Sequence, residues 1–162
     1  MRLTPDDLAR FIRASGIAAE LLPMPVETPT VPAAAAALGV QPAQIVKSLL
    51  FLVRDAPVLV IACGDTPVDR RAVADRFAVG KKQIKLADAE TVLAHTGYAV
   101  GGVPPFGHRQ PAPVLLDRAV RAWDAIYAGG GDDRTLLRIT PDELARATAA
   151  EWIALAVIAD EI

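Results

Sequence analysis

The spacing of apolar residues along the chain predicts helices interleaved with short strands. Leu8, Phe11 and Ile12 recur at helical spacing, as they would on the buried face of an amphipathic helix. A capping sequence, Thr4-Pro5-Asp6-Asp7, precedes them and Gly16 follows, so a first helix is expected between these two signals. The same reasoning predicts further helices at residues 33–38, 70–77, 89–96 and from residue 140 onward.

Continuous apolar runs predict the strands. The two longest runs, residues 45–53 and 57–63, are separated by Arg54-Asp55-Ala56, a spacing that is typical of a hairpin. Shorter strands are expected at residues 18–24, 84–86, 114–116, 125–128, 136–139 and 152–157. Helices and hairpin strands interleave without regular strand–helix alternation, so we expect an α+β fold with a mixed sheet flanked by helices.

Composition narrows the class of protein. The chain has 162 residues, 52% hydrophobic and 22% charged, which predicts one folded domain over residues 1–162. No apolar run reaches the roughly 18 residues of a membrane span, and the polar start is no signal peptide. With a single cysteine as well, we expect a cytoplasmic protein without a membrane partner. The net charge of -2 argues against a protein that coats nucleic acid, and DNA is not expected as a partner.

Positive charge is concentrated in one part of the chain. Between Lys47 and Lys85 there are eight basic and four acidic residues, a local net charge of +4. This segment either meets phosphate groups or forms ordinary solvated helix and loop faces.

Lys47 lies inside the apolar run of residues 45–53. With the two-residue period of a strand, it shares a face with Leu49 and Phe51. Because desolvating an ammonium is costly, a lysine is rarely buried there without a partner. Two interpretations remain open: the side chain reaches water from the end of the strand, or its ammonium points into a pocket and binds an anion.

A loop rich in glycine and proline, residues 97–108, follows the fourth predicted helix. It contains four glycines and the pair Pro104-Pro105. Glycine adopts backbone angles that other residues avoid and proline fixes φ, so the loop has a set shape whose backbone groups can approach a ligand. The alternative is a tight surface turn. His108, at its end, is either a structural hydrogen-bonding residue or a catalytic group.

Other reactive residues give weaker signals. Two histidines and one cysteine form no metal-ligand motif, so neither a metal nor another cofactor is expected. Cys63 ends an apolar strand and is expected to be a buried, inert thiol. The triplet Gly129-Gly130-Gly131 after a predicted strand either forms a flexible turn or lines a cleft.

Several motifs occur together and in order. They are Val46-Lys47-Ser48-Leu49, Gly64-Asp65, Leu86-Ala87-Asp88, Gly97-Tyr98, Gly101-Gly102-Val103-Pro104-Pro105-Phe106-Gly107-His108 and Ile139-Thr140-Pro141-Asp142-Glu143-Leu144. In this combination the chain resembles the YbaK/EbsC family, relatives of the editing domain inserted in bacterial prolyl-tRNA synthetases. The resemblance covers roughly residues 20 to 150. It implies a mostly antiparallel, partly barrel-like sheet.

The resemblance also implies a function: a free-standing deacylase that hydrolyses a mischarged amino acid from the 3′ end of aminoacyl-tRNA. Lys47 would engage the negatively charged tRNA end, and the backbone from Gly101 to Pro105 would hold the terminal adenosine and place the attacking water. The substrate-binding residues implied beside them are Ser48, Gly102, Val103, Pro105, Phe106, His108, Gly129 and Gly130. Transient association with an aminoacyl-tRNA synthetase is a further implication.

The resemblance does not indicate which amino acid is removed. Some family members carry a serine or histidine on the strand that leads into the glycine turn, where it helps to select the amino acid, whereas this chain has Ala128. Two other functions also stay open. One is a non-catalytic protein that binds the tRNA end or a nucleotide, and the other is a small hydrolase that uses Cys63.

Overall fold

The structure, a computed structural model, describes residues 1–155. Its helices are α1 (Pro5–Ser15), α2 (Val31–Leu38), α3 (Arg70–Arg76), α4 (Ala89–Thr96) and α5 (Pro141–Thr148). Its strands are β1 (Ala19–Pro23), β2 (Val46–Val53), β3 (Ala56–Cys63), β4 (Ile84–Leu86), β5 (Val114–Asp117), β6 (Ile126–Gly129), β7 (Thr135–Ile139) and β8 (Glu151–Ile153). The predicted strand at residues 152–157 is found in part, and its last two residues lie outside the described range.

The helices begin where their capping residues predict. Thr4 accepts a hydrogen bond from the Asp7 backbone N–H while the Asp7 carboxylate accepts one from the Thr4 backbone N–H, a complete capping box for α1. At the start of each of the other four helices, a threonine or aspartate side chain accepts a hydrogen bond from a backbone N–H of the first turn. No helix of the described chain is long and apolar enough to cross a membrane.

The strands form two sheets. One contains five strands in the order β4-β2-β3-β5-β8, and the other three in the order β1-β7-β6. Only the β3–β5 and β5–β8 pairings are parallel, so the prediction of an α+β fold with a mixed, mostly antiparallel arrangement is confirmed. The tight connection between β2 and β3 is a two-residue turn, Arg54-Asp55, with both residues at positive φ, one residue shorter than predicted.

The two sheets do not close into a barrel. The two sheets meet at a single β-bridge, between Ile45 and Tyr127. On the same side of β2, β4 pairs only with Phe51–Val53. The stretch of β2 between these two contacts therefore has no partner strand among the described residues, and the sheets separate there.

The hydrophobic core lies on both faces of β3, which is buried along most of its length. On one face, Leu59 and Ile61 pack with residues of α1, β7 and the loop after α4. On the other face, Val58 and Val60 pack with α3. Because β3 is anchored from both sides, the adjoining strand β2 is fixed in position.

Candidate active site

A cavity of about 480 Å³ lies where the two sheets separate. Five parts of the chain form its walls: residues 28–31 and 34, residues 45–50, residues 86, 87, 89 and 92, residues 100, 101 and 103, and residues 128, 129 and 136. Most of these side chains are aliphatic, so the cavity can surround an apolar group and offers few polar partners.

Lys47 is half-buried at the wall of this cavity. Its ammonium donates a hydrogen bond to the backbone carbonyl of Thr66 at 3.0 Å, in the turn that follows β3. An ammonium has three N–H donors, so two remain for another acceptor. Lys47 therefore lines the cavity while its ammonium is tied to the turn after β3, and its binding of an anion stays a prediction.

The loop after α4 forms the opposite wall. Gly101 has φ +102°, a conformation that strains any residue with a side chain, and this explains why glycine stands here. The loop is held against the β6–β7 hairpin through its backbone, because the Gly131 N–H donates to the Gly102 carbonyl at 2.9 Å. At Gly129 a Cβ would stand 2.3 Å from the Val103 carbonyl oxygen. Glycine at position 129 therefore allows the loop and the hairpin to pack backbone on backbone.

His108 supports this loop from the side that does not line the cavity. Its Nε2 lies 2.6 Å from the carbonyl oxygen of Pro104. A carbonyl only accepts, so Nε2 carries the proton and donates. Burial lowers the pKa of His108 below 6.5, and the bond to Pro104 opposes that shift in part. The imidazole thus donates a hydrogen bond within the loop, and the choice between a structural and a catalytic role stays a prediction.

Phe106 is also part of this support, since it is buried and stacks on Phe11 of α1 with ring centroids 5.9 Å apart. Together with His108 it fixes the loop to the core.

The structure brings together five of the predicted site residues. Lys47, Ser48, Gly101, Val103 and Gly129 line the cavity, although 54 positions separate Lys47 from Gly101. The roles assigned to them stay predictions.

The other five predicted residues are not on the cavity walls: Gly102, Pro105, Phe106, His108 and Gly130. Gly102 and Gly130 are buried where the loop and the hairpin pack together, and the other three follow Val103, where the loop turns inward toward the core. Their positions suit support of the loop rather than contact with a ligand.

The wall formed by residues 28–31 was not predicted from the sequence. Thr28 is buried and its N–H donates to the Asp133 carbonyl at 2.6 Å, which ties this segment to the β6–β7 hairpin. The prolines of the segment predict a connection of fixed shape, but nothing in the local sequence shows that it returns to the cavity. Val100 and Leu86, both lining residues, are exposed large apolar side chains, and neither was predicted as a site residue although Leu86 belongs to one of the ordered motifs.

Cys63 is buried, as expected. Desolvation, with the nearby charges of Asp117 and Asp65, raises its pKa to about 11, and Lys47 lowers it only in part. The thiol is therefore protonated at neutral pH and is a poor nucleophile. Within residues 1–155, no three His, Cys, Asp or Glu side chains come together to hold a metal ion.

The basic segment is mostly solvent-exposed. Arg70, Arg71, Lys81, Lys82 and Lys85 are exposed, and the Arg70 guanidinium lies 5.8 Å from the ring centre of Phe51, on the Lys47 face of β2. Arg76 is engaged in an ion pair with Glu151 and is less available to a ligand.

The fold and the cavity agree with a family assignment. The model of the family described as "Aminoacyl-tRNA editing domain" matches residues 26–147, and the chain belongs to this family. The matched region contains every residue named above as lining the cavity. Aminoacyl-tRNA editing by deacylation is the function of the class.

Individual relatives support the assignment. The chain is 30% identical over 126 residues to "Uncharacterized protein YwhH" of Bacillus subtilis, covering 76% of this chain and 78% of that protein. It is 24% identical over 119 residues to the "Putative Cys-tRNA(Pro)/Cys-tRNA(Cys) deacylase EbsC" of Enterococcus faecalis, covering 73% and 71%. A crystal structure of "a putative trans-editing enzyme for prolyl tRNA synthetase" superimposes with a TM-score of 0.89 at 30% identity, covering 98% of this chain and 99% of that one.

Proposed function

We propose that this protein is an active deacylase that hydrolyses a mischarged amino acid from the 3′ end of tRNA in trans. The observation that carries the proposal is the cavity itself. Lys47 lines one wall and a preorganised backbone loop lines another, around a space large enough for an aminoacyl group, and this supports the proposal.

The reaction needs no side-chain nucleophile. Water adds to the carbonyl carbon of the aminoacyl ester, the bond from that carbon to the ribose oxygen breaks, the ribose oxygen takes a proton, and the amino acid leaves as a carboxylate with release of the second proton. An aminoacyl ester is already activated, so positioning the water and stabilising the developing oxyanion are sufficient contributions from the protein.

Lys47 and the loop have separate roles in this proposal. The Lys47 ammonium binds the negatively charged 3′ end of the tRNA, with the two donors that Thr66 leaves available. The backbone around Gly101 and Val103 holds the terminal adenosine and places the water. His108 and Phe106 keep that backbone in position.

The cellular setting follows from the substrate. Aminoacyl-tRNA is made and used in the cytoplasm, where we place the reaction. The structural relative described as acting for prolyl tRNA synthetase supports transient association with a synthetase.

The test is a screen of the purified protein against a panel of mischarged tRNAs, followed by variants at Lys47. We expect hydrolysis of at least one. We expect Lys47→Met, which keeps the aliphatic stem, to lower kcat/KM roughly 10- to 100-fold, because a hydrogen bond to a charged group contributes about 1.5–3 kcal/mol. The matched control is Lys82→Ala, which removes the same charge from an exposed turn outside the cavity.

Two outcomes would contradict the proposal. Absence of hydrolysis across the whole panel, combined with binding of the tRNA end, would favour a non-catalytic binding protein. Equal rates for Lys47→Met and Lys82→Ala would show that Lys47 is only a surface lysine at the strand end.

A further inference from the structure

One wall of the cavity is the open backbone edge of β2. On its other side β2 pairs with β3 along its whole length, from Val46–Cys63 to Val53–Ala56. On the cavity side it meets partners only at the two ends of a short stretch. The Ile45–Tyr127 bridge closes one end, and the Ala87 N–H, which donates to the Leu50 carbonyl at 2.9 Å, closes the other.

The register of the hairpin shows which residues face the cavity. The Gly64 N–H donates to the Ile45 carbonyl at 2.7 Å, so Ile45 directs its carbonyl toward the β3 side. In an antiparallel pair this orientation repeats every second residue, so Lys47 and Leu49 also bond to β3. Ser48 lies between them and directs its backbone N–H and C=O to the opposite edge, into the cavity.

The surroundings of Ser48 agree with a backbone that faces the cavity. Its Oγ is buried and has no hydrogen-bond partner among the described residues, yet the residue as a whole is partly exposed. The exposed surface of Ser48 therefore belongs to atoms other than Oγ. The structure gives neither its N–H nor its C=O a strand partner within residues 1–155.

The open stretch is short. From Ile45 to Leu50 there are five residue-to-residue steps, about 16 Å at roughly 3.3 Å per step, with both ends occupied. A further strand cannot run through it, but one amino-acid residue fits.

We propose that Ser48 binds the amino acid of the substrate as if it were a single residue of an antiparallel strand. The Ser48 N–H donates to the carbonyl oxygen of the aminoacyl ester, and the Ser48 carbonyl accepts from the α-ammonium. In an antiparallel hydrogen-bonded pair two residues exchange these same two bonds, and an aminoacyl ester carries the matching donor and acceptor on one residue. The inference rests on the proposed function, since it takes the ligand to be an aminoacyl ester.

This pairing makes a specific contribution to hydrolysis. The bond from the Ser48 N–H to the carbonyl oxygen strengthens as that oxygen becomes negative, so it stabilises the transition state more than the bound ester. The hydrogen bond from the α-ammonium to the Ser48 carbonyl recognises a group that every aminoacyl-tRNA carries. Ser48 thus recognises the aminoacyl group by its main-chain atoms and leaves selection of the side chain to other walls.

Amide hydrogen exchange tests the pairing directly. The probe is 3′-deoxy-3′-(glycylamino)adenosine, a non-hydrolysable amide without a side chain. In the free protein we expect the Ser48 amide to exchange much faster than those of Lys47 and Leu49. The saturating probe should slow Ser48 exchange by at least about tenfold, the ratio that one hydrogen bond supports, and leave Lys47 and Leu49 unchanged. The N-acetylglycyl analogue, which lacks the ammonium, should bind more weakly.

Three results would overturn the inference: a Ser48 amide as protected as Lys47 in the free protein, no binding of the glycyl probe, or binding that leaves Ser48 exchange unchanged. Deacylation of the tRNA panel by the same preparation tests the proposed function separately. A wild-type enzyme that is active while Ser48 fails this test refutes the pairing alone. Ser48 protection by the probe in a protein without deacylase activity refutes the catalytic function alone.

A second measurement uses activity. Proline is tolerated where the lost N–H faces away from a strand ladder, so Ser48→Pro removes the proposed donor and keeps the β3 pairing. The reference is Ser48→Ala, which keeps the backbone N–H. We expect kcat of the proline variant to be roughly 100-fold lower than that of the alanine variant, the effect of losing one oxyanion donor. Equal kcat values in two folded variants would overturn the inference, and if Ser48→Pro does not fold, the exchange result decides.

Discussion

Gly129 offers a test of whether the position of the loop determines activity. A methyl group at this position would stand 2.3 Å from the Val103 carbonyl oxygen and 2.9 Å from its carbonyl carbon. Both atoms are backbone, so no side chain can rotate away. The Gly129→Ala variant must therefore push the loop and the β6–β7 hairpin apart.

The distance by which the loop must move sets the expected loss of activity. Ordinary contact between a carbon and a neighbouring atom begins at about 3.4 Å, so the loop must retreat by about 1 Å. A displacement of about 1 Å costs on the order of 100-fold in rate when it moves a positioning element, or about 2.7 kcal/mol of transition-state stabilisation. Overpacking should also lower stability, by roughly 1–3 kcal/mol.

The measurement is kcat/KM for deacylation of the mischarged tRNA identified by the panel, at a temperature well below the unfolding transition. Gly80→Ala is the matched control. Gly80 has φ -75° and its nearest neighbour to a new Cβ is the Gln83 side-chain oxygen at 3.9 Å, so the same substitution meets open space there. A folded Gly129→Ala protein with the activity of Gly80→Ala would refute the claim that catalysis depends on the placement of this loop.

Three further predictions follow from burial and charge. Cys63→Ala should cost about 1 kcal/mol of stability and leave deacylation unchanged, because the thiol has a pKa of about 11 and stays protonated; loss of activity in the folded variant would revive a cysteine mechanism. Burial holds the pKa of His108 below 6.5, so the neutral ring stabilises the fold above pH 6.5 and this contribution is lost as the pH falls toward the lowered pKa. As the pH is lowered, the unfolding free energy should accordingly fall more steeply for the wild type than for His108→Gln. Parallel curves for the two proteins would exclude His108 as the titrating group. Binding of tRNA should weaken with salt at a log–log slope of roughly -1.5 to -3, as expected for two to four phosphate contacts at about -0.7 each, whereas a slope steeper than about -5 would indicate an extended basic surface.

Local sequence signals predicted the elements well because their causes are local. A capping threonine or aspartate and a terminating glycine act within a few residues, and the boundaries of α1 and α4 follow them closely. The separation into two sheets was not predicted, since it depends on how far β4 extends along β2 and on a single bridge at Ile45. Those contacts join segments that are distant in sequence and have no periodic signature.

The same distinction holds for the candidate site. Lys47 was found because a charge interrupts an apolar strand, whereas the loop was found from its glycines and prolines and Gly101 within it from the resemblance to a known family. Val100 and Leu86 break no pattern and become lining residues only through tertiary packing. His108 was found, but its partner, the Pro104 carbonyl, is visible only in three dimensions.

Much of the site is built from backbone, and this has a consequence for specificity. In the proposed arrangement, the lining groups that touch the reacting ester are main-chain atoms of the loop and of Ser48, and these survive most substitutions of side chains. Discrimination among amino acids must then come from lining side chains on the other walls. Ala128 and Leu136, both buried and on the β6–β7 hairpin, are positioned to provide it without disturbing Lys47 or the loop. An enlarged side chain at Ala128 should therefore change which amino acid is removed before it changes how the ester is cleaved.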